Sequence, residues 1–209
     1  KTVYLQYEPI AAAHYYETTI GDEQKALIFD FGGGTLDMSV VQLGNPKTRR
    51  VIANGGIPIA GDIFDQRIVR TKLPQHFGEG TTYRSGNHEL PVPPALYDAF
   101  TDWQTLLTMQ LPKDMENLRR IAHNAQQPRK IEALMSLITG QYGLKMFDVA
   151  EQAKRQLSDR ETARLDMAGA DFKVFETIRR TEFERMIRTE VRAIAERLDH
   201  LLEDAKLKP

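Results

Sequence analysis

Asp30 and Asp37 bracket three glycines and a threonine in the run Asp30-Phe31-Gly32-Gly33-Gly34-Thr35-Leu36-Asp37. Glycine permits positive φ and close backbone approach to a ligand, because no Cβ intervenes. Bare amides at Gly32, Gly33 and Gly34, with the Thr35 hydroxyl, suit phosphate oxygens. The two carboxylates suit Mg²⁺ held through its waters. Nucleotide binding is the chemistry this pattern points to, although the turn read alone serves equally as a flexible hairpin. It is not a Walker A loop, since no Gly-Lys-Ser/Thr follows and no helix opens after the glycines. The dinucleotide fingerprint also needs a strand-to-helix turn, which this pattern lacks.

A second set of polar residues falls at helical spacing. Glu151, Lys154, Arg155 and Ser158 lie at i, i+3, i+4 and i+7, on one face across two turns. By spacing alone they read as a surface face carrying ion pairs worth a few tenths of a kcal/mol each. The functional alternative uses a carboxylate and an ammonium on ribose hydroxyls and a guanidinium stacked on a purine.

These groups need elements to hold them. Apolar runs at 26–29 and 38–43 predict the two strands of a hairpin around the glycines. A strand is expected at 3–7, a helix opened by Pro9 at 8–16, and a third hairpin strand at 50–53. Gly55-Gly56 begins an expected loop that leads to Asp62, read as the cap of a helix over 63–73. Residues 74–94, rich in Pro and Gly, read as one long loop. Helices are expected at 95–111, 114–125 and 128–157, the last broken near 140–143, then strands at 162–167 and 173–180. Thr181 and Glu184 form a capping-box pattern. It would open one long helix with an apolar stripe of Phe183, Ile187, Val191, Ile194, Leu198 and Leu201.

The composition narrows the classes. A net charge of −1 gives no field toward nucleic acid or membrane, and 41% hydrophobic with 27% charged residues is ordinary for a globular protein. No apolar run approaches the ~18 residues of a membrane span. No cysteine is present, which excludes disulfides and thiolate metal sites and fits a cytoplasmic location. The 5 histidines show no metal-ligand spacing.

The order of segments is recognisable. Glu8-Pro9-Ile10-Ala11-Ala12-Ala13, the glycine hairpin, Ala60-Gly61-Asp62-Ile63-Phe64-Asp65 and Ala150-Glu151-Gln152-Ala153-Lys154-Arg155-Gln156-Leu157-Ser158 together resemble the DnaK-type heat-shock chaperone ATPase domain. That domain belongs to the actin-like ATPase superfamily, and the departing stretch at 72–147 resembles a divergent YegD-like branch. The resemblance implies an α/β fold, α+β in its upper subdomain. It would be a partial ribonuclease-H-like actin-type lobe with an added helical subdomain. It divides the chain into a partial lower subdomain at 1–62, an upper subdomain at 63–181 with the insertion, and a returning helix at 182–209.

By resemblance, Gly32, Gly33, Gly34 and Thr35 grip the β- and γ-phosphates of ATP or ADP, with Gly61 packed nearby. Asp30 and Asp37 hold hydrated Mg²⁺ and place the attacking water, and Glu8 senses that site. Glu151, Lys154, Arg155 and Ser158 hold ribose and purine. A client protein or co-chaperone is the implied partner, with neither nucleic acid nor membrane. The chain opens on Lys1-Thr2-Val3-Tyr4-Leu5, a strand already under way, and is expected to be a fragment of lobe II that hydrolyses no ATP alone. The family's first phosphate loop and catalytic lysine would lie upstream of Lys1, and its second glycine loop beyond Pro209. The competing class is a non-catalytic interaction module that docks partners through Trp103, Leu106, Leu107 and Met109. A filament-forming actin relative is a third alternative.

Overall fold

A computed structural model describes residues 8–45 and 47–207, with side chains from Ile10 onward. The expected strand at 3–7 lies outside the described residues, as does the side chain of Glu8. The chain separates into two units, Lys1–Ile63 with Arg188–Pro209, and Phe64–Ile187.

The first unit is built on an antiparallel meander of β1 (Gln24–Phe31), β2 (Leu36–Leu43) and β3 (Arg50–Ile57), with β2 in the centre. Side chains alternate across a strand, so β2 feeds two apolar layers. Leu36, Met38 and Val40 face one way and pack with Leu201 and Ala205, joined by Ile194 and Leu198, all on or beside α8 (Arg188–Asp204). Val41 and Leu43 face the other way and pack with Ala13 of α1 (Glu8–Glu17), beside Ala26 and Ile28. Each fully buried Leu or Met contributes about 1.5–3 kcal/mol relative to exposure. The expected end of the third strand at Ala53 is corrected. β3 continues through Gly55 and Gly56, which pair with Met38 and Asp37. Ladder pairing with β2 outweighs the low strand propensity of two glycines.

At the opposite end of the sheet from the glycine turn, Glu17 of α1 accepts from the Gly44 amide at 2.9 Å and pairs with Arg49, which also meets His14 Nε2 at 2.8 Å. Burial works to raise the Glu17 carboxyl, yet Arg49 and the Gly44 amide hold it below its ordinary value.

The second unit has its own core. It contains most of α2 (Gly61–Lys72), a hairpin of β4 (Thr82–Ser85) and β5 (His88–Pro91), then α3 (Trp103–Thr108), α4 (Pro112–Asn124), α5 (Pro128–Thr139) and α6 (Gly143–Asp159). The antiparallel pair β6 (Thr162–Ala168) and β7 (Lys173–Arg179) follows, then α7 (Arg180–Met186). Met146, Ala150, Ala153 and Leu157 form the buried stripe of α6, against the inward residues Ala163, Leu165 and Met167 of β6.

Three expectations change here. The stretch at 74–94 is not one loop: it holds a 3-10 turn at Pro74–Phe77 and the β4–β5 hairpin. The helix expected at 95–111 divides into a 3-10 segment, Pro94–Thr101, and α3. Asp102 causes the division, because its carboxylate accepts from the Gln104 amide at 3.0 Å and caps a new helix. The capping box at Thr181 does not form. The Arg180 amide donates to Glu161 O at 2.9 Å, and its guanidinium to Leu157 O at 2.8 Å, and the helix starts at Arg180 rather than at 182. That helix also ends at Met186, with Phe183 packed on the second unit's core, and Val191 is half exposed rather than part of a buried stripe.

Candidate nucleotide site

The β1–β2 register sets Asp30 directly opposite Asp37. Like charges placed opposite one another across a sheet destabilise it, unless a cation lies between them. Thr35 Oγ1 donates to Asp37 Oδ2 at 3.1 Å, which orients one of the two carboxylates. The turn itself is closed by the Gly32 amide donating to Thr35 O at 3.0 Å.

The first turn of α2 grips the glycines from outside. Gly61 N donates to Gly32 O at 3.2 Å and Asp62 N to Gly33 O at 2.8 Å. Carbonyls of the turn are thereby engaged, and among the described residues the Gly33 and Gly34 amides have no backbone hydrogen-bond partner. Asp62 stands inside the first turn of α2 rather than before it, which corrects its expected capping position. Its carboxylate lies against Gly33, where a Cβ would come within 3.2 Å of Asp62 Oδ1. None of Gly32, Gly33 and Gly34 adopts positive φ. Of the two freedoms glycine offers, these positions use close approach, made at Gly33 by Asp62.

A cavity of about 880 Å³ opens beside this turn, lined by Asp30, Asp37, Ser39, Asn54, Gly56 and Ile10 among others. Its size falls within the range of about 300–1,000 Å³ common to small-molecule sites. Gly56 faces Asp37 across the β2–β3 ladder, and a Cβ there would stand 2.8 Å from Asp37 Oδ1. The missing side chain makes room for the carboxylate. Sequence reading missed Ser39, Asn54 and Gly56. Ser39 was detectable as the polar member of an otherwise apolar run, whereas Gly56 required the strand register.

The donor set fits Mg²⁺. Among the described residues no group of three or more His, Asp or Glu could enclose a metal. Two opposed carboxylates and hydroxyl oxygens suit a hard cation that keeps several waters and relies on phosphate for its remaining ligands.

The second constellation lies in the second unit, on α6. Arg155 Nη2 bonds Glu151 Oε1 at 2.6 Å on the exposed side. Lys154 turns the other way, and its Nζ meets Asp65 Oδ2 of α2 at 2.7 Å, with Asp65 almost fully buried. Ser158 is exposed, and its carbonyl lies 3.4 Å from Arg180 Nη2. The four residues share one helix as the spacing predicts, but Lys154 is committed to a carboxylate. Of the residues considered for partner docking, Leu106 and Met109 are buried in the core and only Leu107 is exposed, which corrects that surface.

Comparison with known proteins shows a partial likeness in sequence. A family model described as Hsp70 protein matches residues 3–83, less than half of the chain, and this stretch is similar to that family. The chaperone protein DnaK of Thermosipho africanus is 43% identical over 63 residues, 30% of this chain and 10% of the relative. Those of Thermosipho melanesiensis and Thermotoga neapolitana are each 41% identical over 63 residues, 30% of this chain and 11% of the relative. The chain thus spans about a tenth of the length of the curated relatives it matches. Mixed helices and small antiparallel sheets agree with the α/β class. Among the described residues no helix is long and apolar enough to cross a membrane.

Proposed function

We propose that this chain is part of the nucleotide-binding domain of a DnaK-like chaperone, in which Mg-ATP binding and hydrolysis drive closure of two lobes. The observation that carries this reading is the glycine turn between opposed Asp30 and Asp37, gripped at its carbonyls by Gly61 and Asp62. Gly32, Gly33, Gly34 and Thr35 hold phosphate oxygens. Asp30 and Asp37 would hold hydrated Mg²⁺ through its waters and orient the attacking water. Glu8 reports on that site from the start of α1. Mg²⁺, when bound, neutralises charge on the phosphates. The remaining contribution is positioning and electrostatic stabilisation by the protein.

The finer assignments belong to the same reading. Residues 1–62 are a partial lower subdomain of lobe II, 63–181 its upper subdomain with the YegD-like insertion 72–147, and 182–209 the returning helix. Glu151, Arg155 and Ser158 hold ribose and purine, and Lys154 joins them from its bond to Asp65. Closure would pass to a client protein or co-chaperone, in the cytoplasm, by differential binding to two states. The test is Mg-ATP turnover by the complete protein that carries these residues. Asp30→Ala and Thr35→Ala each lower it at least tenfold, and unchanged turnover in both variants refutes the assignment.

A further inference from the structure

Ser39 is 4% exposed, yet it lines the 880 Å³ cavity beside Asp30 and Asp37. It lies two residues beyond Asp37 on β2 and so shares its face of the sheet, with Ile28 and Asn54 as its cross-strand neighbours. Among the described residues its hydroxyl has no hydrogen-bond partner, although the strand residues around it are Met38, Val40 and Val41. Its oxygen is not among the sealed side-chain atoms that lack a partner, so it keeps access to the cavity. Such a hydroxyl is satisfied by an ordered water, which itself needs two to four polar partners in a polar, roomy site. Asp37 on the same strand and Asn54 on the neighbouring one supply further polar groups around this cavity.

We propose that Ser39 is a positioning residue of the metal site: it accepts a hydrogen bond from a water of the divalent cation held between Asp30 and Asp37. This inference rests on the metal reading given above. A cation that retains most of its waters presents their protons outward, and each needs an acceptor. The two carboxylates take those directed at the sheet end, while Ser39 Oγ takes one directed at the cavity floor. The water shell is thereby fixed in orientation before nucleotide arrives.

Mn²⁺ titration of this chain, read by electron paramagnetic resonance for affinity and by amide line broadening for location, tests the proposal. The wild type should broaden amides from Asp30 to Ser39, and Asp37→Asn should abolish that effect. Ser39→Ala should weaken Mn²⁺ about fivefold while its thermal midpoint in the absence of metal stays level or rises. A purely structural serine would instead lower the midpoint and leave affinity alone. Unchanged affinity in Ser39→Ala, with loss in Asp37→Asn, overturns the role of Ser39 and leaves the metal reading standing. No broadening near Asp30 and Asp37 in the wild type overturns both.

Discussion

Gly56→Ala separates the demands of the site from those of the sheet. The added Cβ would stand 2.8 Å from Asp37 Oδ1 and 3.2 Å from Leu36 O. The Leu36 carbonyl belongs to a strand paired on both sides, so the carboxylate is the group free to move. Turning Asp37 about 30° from its rotamer costs about 0.5–1.5 kcal/mol. Replacing glycine returns about 0.4–1 kcal/mol through the unfolded chain, so the two effects nearly cancel. The thermal midpoint should therefore shift by less than about 4 °C for a chain of this size. Divalent-ion affinity should fall about tenfold, equivalent to ~1.4 kcal/mol, because Asp37 no longer stands opposite Asp30. Calorimetric melting and Mn²⁺ titration of the variant check the two numbers. A midpoint lowered by far more than the cancellation allows, with metal affinity unchanged, would refute the reasoning and make Gly56 a requirement of the strand alone.

The pH dependence of stability has two limbs, followed by denaturant unfolding across the pH range. Burial works to raise the Glu182 carboxyl, but the Lys72 hydrogen bond at 2.7 Å and its charge hold it below the ordinary 4.5. Its contribution is present above pH 4.5 and is lost as pH falls through the lowered value, and Lys72→Met should flatten that acid limb. Burial, with the Glu79 charge, raises the Tyr97 phenol well above its ordinary 10.0. Its contribution is present below pH 10.0 and is lost as pH climbs toward the raised value, a decline that Tyr97→Phe should remove.

Elements with a clear period are legible from the residues alone. The apolar runs of β1 and β2, the spacing of Met146, Ala150, Ala153 and Leu157 in α6, and the Pro9 start of α1 each declare one dominant local preference. The elements that differ from expectation are decided by partners distant in sequence. Gly55 and Gly56 belong to a strand because β2 lies beside them, and Thr181 loses its capping role to bonds made by Arg180 with Glu161 and Leu157. The hairpin at 82–91 consists of two strands of 4 residues each amid turn-forming residues, too short for a period to show. Asp30, Asp37 and the glycines are readable as a candidate site from residue type and spacing. Gly56 is not, because its part depends on the strand register, and Ser39 shows only as a polar residue within an apolar run. The engagement of Lys154 by Asp65 likewise joins residues 89 positions apart.

Titration of this chain with Mg-ADP, followed amide by amide in nitrogen-edited NMR spectra, tests the nucleotide assignment most directly. The expected result is a weak, fast-exchanging interaction that moves the Gly33, Gly34 and Thr35 amides and vanishes in Asp30→Ala. Unmoved amides at the glycine turn with nucleotide in the millimolar range would contradict the site. Sub-micromolar affinity would contradict the reading of this chain as only part of one.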